Sequence, residues 1–181
     1  MNARRNNAEM RNAAYTAIAR RPENNTHHTP EKGKGFQYEG YDFEHRFPLA
    51  VSPSSVKSNV SIINGVDWIK NGVKFELKCN CSTIGTITEK SVEYPMNNAD
   101  FLIYCPFFST HMTDEEMINS TYVIKPHFFL EILGHLNLLH DLRPHRNKIQ
   151  IQVFKTSKKR TAAFIDYLNT LGIPAREFFK L

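Results

Sequence analysis

Hydrophobic and polar residues alternate on both sides of Asn71-Gly72, a pair typical of a tight turn between two strands. The type I′ turn of a hairpin needs positive φ at both central positions, which Asn and Gly tolerate. A two-residue turn determines the register and pairs Asp67 with Glu76. Because successive side chains alternate between the faces of a strand, Lys78 lies on the same face as Glu76. The pattern therefore predicts a hairpin that brings two carboxylates and an amine together.

A helix is predicted before this hairpin, over residues 36–47. Its apolar positions recur with helical spacing at Phe36, Gly40, Phe43 and Phe47. Glu44 lies at one edge of this apolar stripe and Glu39 at the other edge. Either carboxylate can therefore point from the packed helix toward the hairpin.

Regular patterns also predict elements in the rest of the chain. Strands are expected at residues 59–63, 99–105, 121–124 and 149–154, and helices at residues 126–142 and 158–171. Ser157 is the expected cap of the last helix, and Gly172 its end. Residues 83–94 mix glycine, β-branched and charged residues, which predicts a loop followed by a short helix near residues 88–94.

Length and composition limit the class of protein. A chain of 181 residues with 41% hydrophobic residues can form one domain with a sizeable core. No apolar run approaches the roughly 18 residues of a membrane span, and the start lacks the apolar stretch of a secretory signal. The odd cysteine count within predicted strands favours a reducing cytoplasm over a disulfide scaffold. The three cysteines are Cys79, Cys81 and Cys105.

Charge is distributed unevenly along the chain, although the net charge is only +5. Residues 1–35 carry seven Lys and Arg against three Asp and Glu, and residues 143–181 carry nine against two. Residues 36–142 carry seven against thirteen. We therefore predict a basic N-terminal arm over residues 1–35. It precedes one domain over residues 36–181, whose basic C-terminal strand and helix contact phosphates beside an acidic centre.

The paired carboxylates have a chemical consequence. Two carboxylates on directly opposed residues of a hairpin repel each other unless a cation lies between them. Proteins bind Mg²⁺ through one or two carboxylates together with water and phosphate oxygens. Asp67 and Glu76 are therefore candidate ligands of a divalent cation. The alternative is an exposed cross-strand ion pair with Lys78, of a kind that contributes only a few tenths of a kcal/mol.

The order Asp67 followed by Glu76-Leu77-Lys78 resembles the central motif of the PD-(D/E)xK nuclease superfamily. The resemblance covers about residues 36–125, and Val66 stands where the name of the family has proline. Members often supply a further glutamate from a preceding helix, in a Gly-x-x-x-Glu context. Glu44 matches that position, with Glu39 as the rival.

This resemblance implies an α/β fold with a restriction-endonuclease-like core, in which helices flank a mixed central sheet. It also implies an endonuclease that hydrolyses phosphodiester bonds in DNA. The expected cofactor is Mg²⁺, with Mn²⁺ as a substitute, held by Asp67, Glu76, the Leu77 carbonyl and Glu44. Lys78 would lie beside the attacking water. Many members act as dimers, so a homodimer is compatible with the resemblance.

Basic residues at the start of the last predicted helix are the expected DNA contacts. Free backbone N–H groups and the helix dipole favour phosphate at such a position. The expected contacts are Lys155, Ser157, Lys158, Lys159 and Arg160, together with Arg4 and Arg5 in the arm. The alternative is a solvated helix cap.

Two other functions fit the same residues. A non-catalytic protein that binds nucleic acid or protein, such as an inhibitor, could have this fold. The intact set of Asp67, Glu76 and Lys78 favours catalysis instead. An RNA nuclease is less favoured, because the aromatic residues form no motif for stacking single-stranded bases.

Overall fold

The computed structural model describes residues 36–53, 66–142, 147–153 and 156–181. Its helices are α1 (Phe36–Val51), α2 (Asp114–Asn119), α3 (Pro126–His135), α4 (Lys158–Leu171) and α5 (Ala175–Phe179). Its strands are β1 (Trp68–Lys70), β2 (Val73–Cys79), β3 (Thr83–Ile87), β4 (Val92–Glu93), β5 (Phe101–Cys105), β6 (Tyr122–Ile124), β7 (Leu139–Asp141), β8 (Lys148–Ile151) and β9 (Ile173–Pro174). The strand expected at residues 59–63 and the arm at residues 1–35 lie outside the described residues.

The described strands form two sheets. The first has the order β1-β2-β5-β6-β9, and it is mixed because β2 and β5 are parallel while its other neighbours are antiparallel. The second has the order β4-β3-β8-β7 and is antiparallel throughout. The predicted fold class, α/β with a mixed sheet flanked by helices, is confirmed at this level.

The β1–β2 hairpin turns where the sequence predicts. Asn71 and Gly72 have positive φ, 53° and 81°. The paired residues are Trp68 with Phe75, Ile69 with Lys74 and Lys70 with Val73, which is the predicted register. The ladder ends at the first of these pairs, so Asp67 lies just outside the paired strand.

Apolar clusters cover both faces of the first sheet. One cluster joins α1, α2 and α5 to alternate residues of β2 and β5, namely Phe75, Leu77, Cys79, Ile103 and Cys105. The other joins α3, α4 and the second sheet to Leu102 and Tyr104. Glu76 pairs with Leu102 and Lys78 with Tyr104 across the parallel strands. Alternation along β2 therefore directs these two charged side chains away from the face that packs on α1.

Two predicted elements are wrong. Residues 83–94 contain β3 and β4 instead of a loop and a helix, because β3 pairs with β8 and buries Ile84 and Ile87. The helix predicted over residues 126–142 ends at His135. The chain then turns through Asn137, whose φ is 53°, and enters β7. Both differences result from pairing with β8, a strand distant in sequence from β3.

Other expectations for single residues are confirmed. Ser157 caps α4, since its Oγ accepts a hydrogen bond from the Arg160 N–H at 3.3 Å. Among the described residues, Cys79, Cys81 and Cys105 are buried and form no disulfide. Among the described helices, none is both long enough and apolar enough to cross a membrane.

Candidate active site

The candidate active site lies beside β2, just beyond the last β1–β2 pair. Glu76 and Lys78 belong to β2, Asp67 precedes β1, and Glu44 belongs to α1. Lys78 Nζ contacts Glu76 Oε1 and lies 3.2 Å from Asp67 Oδ2 and 3.9 Å from Glu44 Oε1. The structure thus brings together the four side chains that the sequence analysis selected.

Asp67 is held in place by the backbone of β2. Its Oδ2 accepts a hydrogen bond from the Leu77 N–H at 2.8 Å as well as from Lys78 Nζ. Its own N–H donates to the Phe75 carbonyl at 3.0 Å. Because the backbone and the carboxylate are both tied to the same strand, the position of Asp67 relative to Glu76 is set by β2.

The Leu77 carbonyl faces the same cluster. It accepts a hydrogen bond from Lys78 Nζ at 2.9 Å. Leu77 therefore contributes its N–H to Asp67 and its carbonyl to Lys78, while its side chain is fully buried in the core on the α1 face. An apolar residue between Glu76 and Lys78 thus anchors the strand and presents polar backbone groups to the site.

Glu76 is the most buried acid of the cluster, with 4% of its surface exposed. Its Oε1 contacts Lys78, but its buried Oε2 has no hydrogen-bond partner among the described residues. An unpaired buried carboxylate oxygen costs free energy, and such atoms in native proteins call for an explanation such as a bound ion or water. The hydrogen-bonding capacity of Glu76 Oε2 is therefore unused by the residues that the structure describes.

Burial alters the acid–base properties of the cluster. The pKa of Glu44 is raised to about 7, mainly by burial and also by the nearby Asp67, while Lys78 opposes the rise. Burial likewise raises the pKa of Glu76 against the attraction of Lys78. Burial alone would lower the pKa of Lys78, but the neighbouring carboxylates raise it above its ordinary value. Lys78 is therefore a positively charged ammonium at neutral pH.

Glu39, the rival of Glu44, makes a different contact. Its Oε2 accepts a hydrogen bond from Asn80 Nδ2 at 2.7 Å. Glu44, and not Glu39, is thus the α1 glutamate whose ion pair with Lys78 the structure shows. Sequence reasoning did not select Asn80. The available signal was a polar residue that follows the Glu-Leu-Lys motif at the end of an apolar strand.

The oxygen atoms of the cluster suit a hard divalent cation. They belong to the carboxylates of Glu44, Asp67 and Glu76 and to the Leu77 carbonyl, the types of ligand that Mg²⁺ prefers. Within the described ranges, no three His, Cys, Asp or Glu side chains form a metal-binding group. The carboxylates are arranged around the Lys78 ammonium, which neutralises part of their charge. A bound cation would need this ammonium to withdraw from between Glu76 and Asp67.

The basic start of α4 is exposed. Ser157, Lys158, Lys159 and Arg160 are all accessible to solvent. Lys155 lies outside the described residues, as do Arg4 and Arg5. The described part of this predicted DNA contact is therefore a short, accessible cationic turn.

Comparison of the chain with protein-family models, with curated proteins and with solved structures finds no match in any of the three. The residues and geometry of the cluster are therefore the basis for assigning a function.

Proposed function

We propose that the chain is a metal-dependent deoxyribonuclease that hydrolyses phosphodiester bonds in DNA. The observation that carries the proposal is the convergence of Asp67, Glu76 and Glu44 on Lys78. Chain order and spacing of Asp67, Glu76 and Lys78 resemble the PD-(D/E)xK motif. Glu76 Oε2, which has no hydrogen-bond partner in the described part of the chain, supports a site that is completed by a ligand.

The elements around the cluster support a restriction-endonuclease-like core. The strand with the Glu-Leu-Lys motif, β2, lies between antiparallel β1 and parallel β5. Helix α1 packs on one face through Phe43 and Phe47 and carries Glu44. A motif strand inside a mixed sheet, with a glutamate from a preceding helix, is the arrangement that the resemblance implies.

The residues of the cluster have different proposed roles in phosphodiester hydrolysis. Mg²⁺ or Mn²⁺ held by Asp67, Glu76, the Leu77 carbonyl and Glu44 would lower the pKa of a bound water and neutralise charge on the phosphate. Lys78 donates hydrogen bonds to the attacking water or to a phosphate oxygen. Its raised pKa makes it a group that orients the water and stabilises negative charge, and a poor base.

A purely structural ion cluster explains the same residues less well. Three carboxylates surround one ammonium, and one buried carboxylate oxygen lacks a donor among the residues that the structure describes. Excess buried charge and unsatisfied polar atoms lower stability unless a further group compensates them. A site that is incomplete without a cation and a phosphate accounts for this cost.

The direct test is a cleavage assay with duplex, branched and single-stranded DNA, with RNA in parallel, at several Mg²⁺ and Mn²⁺ concentrations. We expect DNA cleavage that requires the metal and stops with EDTA. A matched control is Leu49→Ala, because Leu49 is an exposed residue of α1 outside the cluster. Binding without cleavage of any substrate would favour the non-catalytic alternative, and preferred cleavage of RNA would favour an RNA nuclease.

A further inference from the structure

Asn80, two residues after Lys78, is a buried polar residue outside the cluster described above. It is 1% exposed, and its φ of 51° lies in the left-handed region, which Asn tolerates better than most residues. Burial of an amide side chain costs free energy unless it forms hydrogen bonds. Its contacts therefore indicate what this position does.

Hydrogen bonds from Asn80 connect four parts of the chain. Its backbone N–H donates to the Cys105 carbonyl at 3.0 Å, and its carbonyl accepts from the Tyr104 hydroxyl at 2.8 Å. Its Nδ2 donates to the Phe108 carbonyl at 2.9 Å and to Glu39 Oε2 at 2.7 Å. The backbone bonds fasten the end of β2 to β5, and the side chain joins this point to α1.

The contact with Glu39 bears on Glu44, because both belong to α1. Glu39 and Glu44 are five residues apart, about 7.5 Å along the helix axis. A movement of α1 that displaces one of them therefore displaces the other. Phe43 and Phe47 pack α1 on the sheet through apolar contacts, which are non-directional. The Asn80–Glu39 hydrogen bond is directional, and it connects α1 to the end of the strand that carries Lys78.

We propose that Asn80 is a positioning residue: through its hydrogen bond to Glu39, it sets the place at which α1 presents Glu44 to the cluster around Lys78. This inference rests on the proposed function, because Glu44 matters there as a ligand that supports the metal. It assigns Glu39 the role of a connector between β2 and α1. Glu39 thus affects the site indirectly, through the position of α1.

Glu39 offers a sharper test than Asn80, whose replacement also disturbs the left-handed turn. Glu39→Ala removes the acceptor of the Asn80 amide, whereas Glu39→Gln keeps an oxygen acceptor and removes only the charge. Leu49→Ala is the control on the same helix. Each change is made in the wild-type chain and in Glu44→Gln. Mn²⁺ affinity is measured by isothermal titration calorimetry, folding by circular dichroism, and cleavage as a second readout.

We expect Glu39→Ala to weaken Mn²⁺ binding about tenfold, the low end of the range for loss of an outer-shell partner. Glu39→Gln and Leu49→Ala should bind Mn²⁺ like the wild type. In the Glu44→Gln background, Glu39→Ala should have no further effect on affinity, because it acts through Glu44. Asn80→Asp, which cannot donate to Glu39, should reproduce Glu39→Ala where it folds.

Unchanged Mn²⁺ affinity in Glu39→Ala, or losses that add in the double variant, would overturn the inference. A lower melting temperature with unchanged affinity would show a structural role only. If the wild type binds Mn²⁺ but cleaves nothing, the nuclease proposal fails while the calorimetry still decides the role of Asn80. If the wild type does not bind Mn²⁺, both proposals fail.

Discussion

Two cations pair with carboxylates of helix α1, namely Arg46, which belongs to the helix, and Lys78, which belongs to β2. Arg46 donates to Asp42 at 3.4 Å, to Asp114 at 2.7 Å and to the carbonyls of Thr110 and Met112 at 3.3 and 2.7 Å. Its side chain is 24% exposed, and that of Asp114 is 61% exposed. Arg46 therefore ties α1 to the segment before α2 at a partly solvated position.

Lys78 is more buried than Arg46, and more carboxylates surround it. Its side chain is 14% exposed, and the Glu76 side chain beside it is 5% exposed. Three carboxylates surround it, and Glu76 Oε2 has no donor among the described residues. Arg46 therefore forms a structural contact, whereas under the proposed function Lys78 belongs to a site that a ligand would complete.

The largest expected effect is on the rate of DNA cleavage, which should depend on Lys78 far more than on Arg46. Lys78→Ala and Glu76→Gln should lower Mg²⁺-dependent DNA cleavage by at least about 10²-fold, the range for loss of one positioned catalytic group. Both variants should stay folded and bind DNA, which circular dichroism and a filter-binding assay measure. Cleavage at the wild-type rate in both variants would place the active site elsewhere.

A second prediction concerns stability at Arg46. Arg46→Ala removes several hydrogen bonds of a charged donor and should lower the free energy of unfolding by about 1–3 kcal/mol. Urea denaturation measures this loss. Cleavage by the folded variant should change far less than in Lys78→Ala. A loss of activity as large as that of Lys78→Ala, without unfolding, would remove the distinction between the two cations.

The third prediction concerns pH in the metal-free protein. The pKa of Glu44 is raised from its ordinary value of 4.5 to about 7, and that of Glu76 is raised as well. Both carboxyls bind protons more tightly when folded, so their contribution to stability is present below pH 4.5 and is lost as pH rises through about 7. Thermal melts in EDTA across this range should show the decline.

Glu76→Gln should make this pH dependence shallower, because one of the two raised carboxyls no longer titrates. At pH 8, its melting temperature should exceed that of the wild type. A gain of about 1 kcal/mol corresponds to about 2–4 °C for a chain of this size. Asp67 and Glu44 still pair with Lys78 in this variant, so its ammonium keeps two carboxylate partners. A lower melting temperature would mean that Glu76 stabilises the metal-free fold.

The smallest expected effect is at Asp42, which pairs with Arg46 one helical turn away on α1. Asp42→Ala should cost about 0.3–0.5 kcal/mol, as expected for a partly exposed ion pair of this spacing. Urea denaturation with Leu49→Ala as the control measures it. A cost above about 2 kcal/mol would exceed what such pairs contribute and would show that Arg46 depends on Asp42 more than its geometry indicates.

Local patterns were sufficient for much of the candidate site. The Asn71-Gly72 turn determines the hairpin register, and alternation places Glu76 and Lys78 on one face. Helical spacing within residues 36–47 places Glu44 at the edge of the buried stripe. These predictions depend on backbone geometry within a few residues, so the sequence alone was enough for them.

Contacts between distant segments were beyond such patterns. β3 became a strand because β8 pairs with it, although 60 residues lie between them. Asp67 leaves the ladder and accepts from the Leu77 N–H, which the simple register did not predict. Glu39 and Glu44 have equivalent positions in the sequence pattern, but in the structure Glu39 accepts from the Asn80 amide whereas Glu44 pairs with Lys78.

The sequence by itself determined the hairpin, the chemical types of the clustered side chains and the helical face that carries Glu44. Tertiary structure decided which glutamate reaches Lys78 and that Glu76 Oε2 is buried with no donor from the described ranges of the chain. The physical reason is the distance along the chain over which each effect operates. Turn geometry and alternation operate between neighbours along the chain, whereas burial and hydrogen-bond partners depend on which surfaces of distant elements pack together.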